Sequence, residues 1–268
     1  MIVLLTNDDG IRADGIQALK VAFEAVPGSE VYVVAPDRER SASGHAITIH
    51  HPLQVEEVQL EGKTPGRAFA VSGTPADCVK LGVKAILPEA PGIIVSGINR
   101  GPNLGTDVFY SGTVSAALEG VILGIPSIAV SMTAFEYLDY TVAANFAVHV
   151  AGEVVRRGLP ERTLLNINVP PLSPEEIAGV ALTRLGERPY ENIFERRFDP
   201  RGKLYYWLVV EDLALAGGAD TDVGAIRDNL ISVTPIHLDL TNHDVMETLS
   251  RWSLGLNGDP CRWKGEGG

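Results

Sequence analysis

Short apolar runs alternate with amphipathic segments along the first part of the chain. Ile2-Val3-Leu4-Leu5 is a continuous apolar run that stops at Asn7-Asp8-Asp9-Gly10, as expected of a strand covered on both faces. Helical spacing of apolar residues follows over residues 16–26 and stops at Pro27-Gly28. Residues 31–35 form a second apolar run. This order predicts a β-α-β unit, the building block of a parallel sheet.

The pattern changes twice further along the chain. Residues 53–72 predict half-exposed antiparallel strands, and residues 74–87 predict a helix with Thr74 as its N-cap. A strand over 93–95 and a long Gly/Asn loop over 97–112 follow. Up to residue 169 we then predict a helix over 114–123, a strand over 126–131, a helix over 142–156 and a strand over 164–169. Residues 184–208 are rich in Arg, Glu and aromatic residues and have no helical period. They predict an extended arm or hairpin, whose aromatic residues either mark a subunit interface or pack back on the same chain.

Composition narrows the class of protein. The chain has 268 residues, of which 45% are hydrophobic, and its 22 basic and 34 acidic residues give a net charge of −12. A field of that sign disfavours nucleic-acid polymers and anionic membrane surfaces as partners. No apolar run reaches the roughly 18 residues that span a bilayer. Cys78 and Cys261 are far apart, and the chain opens on a core strand without a leader, so we expect a reducing, cytoplasmic setting.

Oxygen-bearing side chains and glycines follow three of the predicted strands. They occur in Asn7-Asp8-Asp9-Gly10 and over residues 37–44 and 96–103. In open parallel sheets, ligands bind outside the carboxyl ends of the strands. The sequence therefore predicts a ligand site at this edge of the sheet.

Asp8 and Asp9 are adjacent carboxylates at the end of the first strand. At 4 Å and an effective dielectric constant of about 20, two such charges repel by about 4 kcal/mol. A hard cation such as Mg²⁺ or Mn²⁺ would offset this repulsion, and Gly10 supplies the turn that lets both side chains converge. The alternative is that both aspartates cap the following helix or pair with Arg12.

Ser111-Gly112-Thr113 lies directly before a predicted helix. Free N–H groups and the positive end of the helix dipole make such a position an anion site, although Ser111 or Thr113 acting only as the N-cap is the alternative. A dinucleotide or triphosphate site is disfavoured, since the first loop carries two carboxylates instead of G-x-G-x-x-G and no G-x-x-x-x-G-K-[ST] run occurs.

Several sequence motifs together resemble one known family. They are Leu4-Leu5-Thr6-Asn7-Asp8-Asp9-Gly10-Ile11, Val34-Ala35-Pro36-Asp37-Arg38-Glu39-Arg40-Ser41-Ala42-Ser43-Gly44-His45, Gly73-Thr74-Pro75-Ala76-Asp77-Cys78-Val79, Val95-Ser96-Gly97-Ile98-Asn99-Arg100-Gly101-Pro102-Asn103 and Ser111-Gly112-Thr113-Val114-Ser115-Ala116-Ala117-Leu118-Glu119-Gly120. In this order they resemble the SurE family, stationary-phase survival proteins that act as 5′/3′-nucleotidases. The similarity covers residues 1 to about 130 and continues more loosely through Asn166-Ile167-Asn168-Val169-Pro170 and Ser232-Val233-Thr234-Pro235.

The resemblance implies both a fold and an activity. The expected fold is α/β, with a three-layer Rossmann-like core and mostly parallel sheet over 1–183, an extended β-hairpin arm and oligomerisation region over 184–235, and a C-terminal helix and tail over 236–268. The expected assembly is a homodimer or homotetramer with exchanged C-terminal elements. The expected substrates are nucleoside 5′- and 3′-monophosphates and short polyphosphate.

The resemblance also implies the site residues. One divalent cation per subunit, Mg²⁺ or Mn²⁺, would be held by Asp8, Asp9, Ser41 and Asn99, with Asp8, Asp9 and Asn99 as the catalytic residues. It would activate a water for attack on phosphorus. The expected phosphate contacts are Asn103, Ser111, Gly112 and Thr113.

Three points stay open at the level of sequence. Asp9 either binds the cation, deprotonates the water or attacks phosphorus directly. His45 either protonates the leaving oxygen or is a solvated loop residue. A non-catalytic nucleotide sensor and a phosphotransferase are alternatives to a hydrolase, because metal and anion sites also bind without turnover.

Overall fold

The computed structural model describes residues 1–63, 67–136, 139–187, 192–210 and 217–254. The chain divides into two compact units, residues 1–236 and 237–268. The segment 184–235 falls within the first of these units.

Nine strands form one sheet within the described residues. They are β1 (Ile2–Thr6), β2 (Glu30–Pro36), β3 (Val55–Glu57), β4 (Ala68–Val71), β5 (Ile93–Arg100), β6 (Ser127–Met132), β7 (Thr163–Val169), β8 (Gly179–Leu182) and β11 (Leu230–His237). Their order in the sheet is β3-β4-β2-β1-β5-β6-β7-β11-β8. Strand β1 pairs in parallel with β2 and β5, β2 with β4, β5 with β6, β6 with β7, and β11 with β8, whereas β3 and β4 are antiparallel.

Helices cover both faces of this sheet. Their bounds are α1 (Asp14–Glu24), α2 (Pro75–Leu81), α3 (Gly112–Ile122), α4 (Thr141–Arg157) and α5 (Asp222–Arg227). One face packs against α1 and α4 and the other against α2 and α3. The expected three-layer α/β core with a mostly parallel sheet is confirmed.

Successive side chains of β1 point alternately into the two core clusters, one on each face of the sheet. Val3 and Leu5 belong to the core cluster of α1 and α4, whereas Ile2 and Leu4 belong to that of α2. All five residues of β1 are buried, because successive side chains point to opposite faces and both faces are covered.

A two-stranded antiparallel hairpin extends from the first unit. It pairs β9 (Asn192–Phe198) with β10 (Leu204–Val210). The hairpin predicted within 184–208 is confirmed, while residues 188–191 lie outside the described residues. Exposed aromatic side chains line it; they are Phe194, Phe198, Tyr205, Tyr206 and Trp207.

Two predictions of local structure were wrong. The Gly/Asn loop over 97–112 is shorter than expected, because β5 continues to Arg100 along β6 and a 3₁₀ turn forms at Gly105–Phe109. The region 53–72 is antiparallel within itself, but β4 is mostly buried since it also pairs with β2. Thr74 is the N-cap as expected, it forms a capping box with Asp77, and the helix continues as a π-helical turn to Ile86.

The described part of the second unit contains α6 (His243–Ser250). Asn242 caps this helix by accepting from the Val245 N–H, and Asp239 pairs with His243 at 2.7 Å. In the ranges that the structure describes, no helix is long and apolar enough to cross a bilayer.

Candidate active site

The carboxyl ends of β2, β1 and β5 bring the three polar loops together. The Arg40 N–H donates to the Asp8 carbonyl at 2.7 Å, which joins the loop after β2 to the loop after β1. The Arg100 N–H donates to Asp9 Oδ2 at 2.9 Å, which joins β5 to the same loop. Adjacent parallel strands place these loops at one edge of the sheet, where the sequence predicts the ligand site.

Gly10 makes the turn that follows Asp8 and Asp9. Its φ of +99° favours glycine, and a Cβ added there would lie 3.1 Å from the Arg38 carbonyl carbon. Asn7 closes the turn through its Nδ2, which donates to the Gly10 carbonyl at 2.9 Å. A side chain at position 10 would push the first two loops apart.

Asp8 is the most buried of the predicted site residues that carry a charge, with 4% of its surface exposed. The Thr113 hydroxyl donates to Asp8 Oδ1 and lies 3.3 Å from Asn99 Oδ1. A Cβ on Gly112 would lie 2.7 Å from the Asp8 Cβ. Asp8, Asn99, Gly112 and Thr113 therefore form one contact group at the start of α3.

Burial dominates the electrostatics of Asp8. It raises the pKa of this carboxyl from 3.8 to about 6, hydrogen bonds from Thr113 lower it, and the charge on Asp9 raises it again. Within the described part of the chain, Asp8 forms no ion pair with a basic side chain. The carboxylate is thus held in a buried position without a protein cation beside it.

The start of α3 contacts the Asp8 carboxylate directly, which the sequence does not predict. Since Thr113 donates to Asp8, part of the anion-binding capacity of this helix end is used by the carboxylate itself. Ser111 is the N-cap, and its Oγ accepts from the Val114 N–H at 3.0 Å. That oxygen still has its own O–H group to donate to a ligand.

Asp9 lies beside Asp8 but borders a different depression. This depression of about 230 Å³ also contains Arg12, Glu39, Arg100 and Tyr140. Burial raises the pKa of Asp9, and the hydrogen bond and charge of Arg100 oppose that rise. Burial and the negative charge of Asp9 raise the pKa of Tyr140 to about 12.

Five of the predicted site residues line the neighbouring cleft, of about 240 Å³. They are Asp8, Ser41, Asn99, Asn103 and Ser111, whereas Gly112 and Thr113 are not among the lining residues. The lining also includes Arg100, Asp107, Tyr110 and Phe135, to which no role was assigned from the sequence. The first three lie within or beside the motifs over residues 95–103 and 111–120, a signal that could have identified them, whereas Phe135 follows β6 and carries no such signal.

Ser41 and Asn103 differ in how firmly they are held. Ser41 is exposed, and its Oγ donates to Glu39 at 2.7 Å. Asn103 is buried, donates from Nδ2 to Ser131 Oγ at 2.8 Å and from its backbone N–H to Asn168 Oδ1 at 2.9 Å. The wall formed by Asn103 is therefore rigid, while Ser41 belongs to the open side of the cleft.

His45 does not line the cleft. Its Nε2 lies 3.0 Å from Glu119 Oε2, and Glu119 is buried on α3 and also pairs with Lys80. This pairing attaches the loop after β2 to α3. The structure thus pairs His45 with a residue of α3 that does not line the cleft.

The donor set fits a hard divalent cation. Two carboxylates, an amide oxygen and a hydroxyl are oxygen ligands of the kind that Mg²⁺ and Mn²⁺ prefer, and Asp8 is a buried anion without a basic partner. No group of three or more His, Cys, Asp or Glu that could hold a metal occurs among the described residues. A cation here would therefore rely on Asn99 and Ser41 besides the two aspartates.

A parallel sheet with helices on both faces and a polar cleft at the ends of adjacent strands defines an α/β protein with a ligand site at its carboxyl edge. The family model described as "Survival protein SurE" matches residues 3–192. The chain belongs to the SurE family.

Relatives of this family match nearly the whole chain. A protein named "5'-nucleotidase SurE" from Symbiobacterium thermophilum is 54% identical over 253 residues, which cover 94% of this chain and 98% of that protein. One of the same name from Heliobacterium modesticaldum is 54% identical over 260 residues, covering 97% of this chain and 94% of that protein. The crystal structure of the SurE protein from Aquifex aeolicus matches with a TM-score of 0.82 and 44% identity, over 93% of this chain and 98% of that one.

Proposed function

We propose that this chain hydrolyses nucleoside monophosphates to nucleoside and inorganic phosphate in a reaction that requires a divalent cation. The observation that carries the proposal is the buried Asp8 carboxylate, which has no basic partner among the described residues and lines a polar cleft next to a helix start. The name "5'-nucleotidase" of the relatives supports the substrate class. Activity on 3′-monophosphates and short polyphosphate is part of the same proposal.

Asp8, Asp9, Ser41 and Asn99 would hold the cation, Mg²⁺ or Mn²⁺, with one ion per subunit. When bound, the ion would neutralise charge on the phosphoryl group and promote ionisation of an attacking water. Burial of Asp8 suits this task, because a carboxylate removed from water gains more from a cation than an exposed one does.

The chain's own groups would orient the phosphoryl group. The Ser111 hydroxyl keeps a free O–H, Gly112 allows close approach to Asp8, and the Asn103 wall limits movement on the other side. Thr113 would hold the Asp8 carboxylate in place through its hydroxyl. Donors fixed before the reaction stabilise charge as it develops.

We propose water as the nucleophile and a cation-bound role for Asp9. One oxygen of Asp9 already accepts from the Arg100 N–H, which fixes its carboxylate at the rim. Rapid quenching during turnover of ³²P-labelled AMP should trap no phosphoenzyme. Recovery of a phosphorylated Asp9 peptide would instead show that the reaction passes through a phosphoaspartyl intermediate.

Phosphate release from a panel of nucleoside monophosphates, with Mg²⁺, Mn²⁺ or EDTA, tests the proposal. Wild type should release phosphate with metal and not with EDTA, and Asp8→Asn and Asp9→Asn should lose at least 100-fold in kcat. Asp228→Asn is the matched control, since Asp228 is exposed at the end of α5 and lines neither depression. Binding of AMP with metal but without phosphate release would make the protein a nucleotide sensor.

We also propose a homodimer or homotetramer that works in the cytoplasm. The hairpin supports the assembly, since Phe194 is 63% and Trp207 61% exposed on it. The buried, free thiol of Cys78 supports a reducing compartment. Sedimentation equilibrium should give a mass of two or four chains, and a Trp207→Ser variant should shift it towards the monomer. A wild type that sediments as one chain would contradict the assembly.

A further inference from the structure

Two exposed aromatic side chains border the cleft that contains Asp8. Tyr110 and Phe135 both line it, and each is 63% exposed to solvent. The hydrolysis of a phosphate ester needs neither ring. Large aromatic surfaces left in water beside a polar cleft are typical of binding sites.

The backbone on both sides of Tyr110 is fixed. Its carbonyl accepts from the Gly44 N–H at 3.0 Å, and its N–H donates to the Asp107 carbonyl at 2.9 Å. Tyr110 also directly precedes Ser111, the N-cap of α3. The ring is therefore exposed at a rigid position, one residue from the proposed phosphate contact.

Phe135 rests against the backbone of Gly101. A Cβ on Gly101 would lie 2.3 Å from Phe135 Cε1, and the φ of Gly101 is +108°. The Gly101 N–H donates to the Met132 carbonyl at 2.9 Å, which fixes that backbone. The motif glycine two residues after Asn99 thus provides the surface on which the ring lies.

The volume of the cleft indicates that the base of a bound nucleotide would lie at these rings. The cleft, at about 240 Å³, is smaller than the roughly 300–1,000 Å³ of sites that enclose a drug-sized ligand. A nucleotide whose phosphate reaches Ser111 must therefore extend past the mouth of the cleft. Among the described residues, no ring contact joins Tyr110 to Phe135, and both side chains are mostly exposed, so each offers accessible ring surface to a planar ligand.

We infer that Tyr110 and Phe135 form a nucleobase-binding site that holds the base of the substrate by its faces. This inference rests on the proposed function, because it assigns the base end of the same ligand. Stacking on ring faces accepts every base, so the site should prefer a ligand with a base over one without, and larger bases over smaller ones.

The test compares kcat/KM for AMP, CMP and ribose 5-phosphate, which has the phosphate but no base. Tyr110→Ala and Phe135→Ala should each lower kcat/KM for AMP by about 10-fold and change that for ribose 5-phosphate by less than about 2-fold. Tyr110→Phe should behave as wild type. Phe109→Ala is the matched control, since Phe109 is 62% exposed beside Tyr110 but does not line the cleft.

Equal losses for AMP and ribose 5-phosphate would overturn the inference, as would unchanged AMP hydrolysis in both alanine variants. Calorimetric titration with adenosine separates this failure from failure of the proposed function. Adenosine binding that is lost in both variants supports the base site even if no phosphate is released. A wild type that hydrolyses AMP but binds no adenosine, with no preference over ribose 5-phosphate, leaves the function standing and removes the base site.

Discussion

Replacing Asp8 by asparagine should stabilise the metal-free protein while it abolishes activity. Burial raises the pKa of Asp8 from 3.8 to about 6, so the folded state disfavours the ionised carboxyl. At 1.36 kcal/mol for each pKa unit, the difference corresponds to about 3 kcal/mol of lost stability when Asp8 is ionised. Asparagine has no charge to bury and keeps an oxygen that accepts from Thr113.

The sign of the pH dependence follows from the raised pKa. Below pH about 3, the Asp8 carboxyl is mostly protonated in both the folded and the unfolded chain and has little effect on stability. Between pH 4 and 6 the unfolded chain releases the proton first, so wild type loses stability as the pH rises. Above pH 6 the full penalty of about 3 kcal/mol is present.

Urea unfolding in EDTA at several pH values between 4.5 and 8 measures this effect. About 1 kcal/mol of the penalty is already present at pH 4.5, so the free energy of unfolding of Asp8→Asn minus that of wild type should rise by about 2 kcal/mol across this range, or about 4–8 °C in Tm. Asp228→Asn, a change at an exposed carboxylate, should show no such rise. Mn²⁺ should then stabilise wild type more than Asp8→Asn. An Asp8→Asn variant that is less stable than wild type at every pH would refute the reasoning.

Three further substitutions test structural contacts, two of them beside the Asp8 carboxylate and the third at the buried carboxylate of Asp222. Thr113→Val, which removes the hydroxyl that donates to Asp8, should lower kcat/KM for AMP at least 10-fold while Thr113→Ser keeps most of it; a fully active valine variant would show that the contact is dispensable. Gly112→Ala should abolish phosphate release because its Cβ would meet Asp8 at 2.7 Å, whereas Gly152→Ala, with nothing within 4 Å, should not; equal activities would contradict the close approach. Asp222→Ala should lower the free energy of unfolding in urea by at least about 3 kcal/mol, since it leaves three backbone N–H groups unpaired, and a loss below about 1 kcal/mol would speak against that role.

Much of the core follows from local sequence signals. The run of apolar residues before Asn7-Asp8-Asp9-Gly10 predicts β1, and the turn at Gly10 has the positive φ that the glycine suggests. The Thr74 cap is equally local, because a capping box needs only residues three apart. These elements depend on neighbours in sequence, so the sequence alone defines them.

Elements that depend on distant partners were harder to predict. β5 continues to Arg100 through a Gly-rich segment because β6 pairs with it, and a register shift between Ser96 and Asn99 redirects the chain there. Strand β8 is short and only half buried, so its pattern is weak. Its pairing with β11 joins segments about fifty residues apart, and no local signal shows it.

The candidate site shows the same division. The motifs contain Asp8, Asn99 and Thr113, which lie together in the structure, but the sequence did not show that Thr113 at the start of α3 donates to the Asp8 carboxylate itself. Nor did it show that Asp9 borders a separate depression. Side-chain direction at the end of a strand depends on the packing of the neighbouring loops, which a single sequence does not reveal.

The proposed function depends on one divalent cation that binds beside Asp8 and supports hydrolysis there. Anomalous scattering from crystals soaked in Mn²⁺ locates such an ion. We expect one Mn²⁺ peak per subunit, within about 2.5 Å of oxygens of Asp8, Asp9 and Asn99, that disappears in Asp8→Asn. A peak elsewhere, or a peak that persists unchanged in Asp8→Asn, would show that Asp8 does not hold the cation.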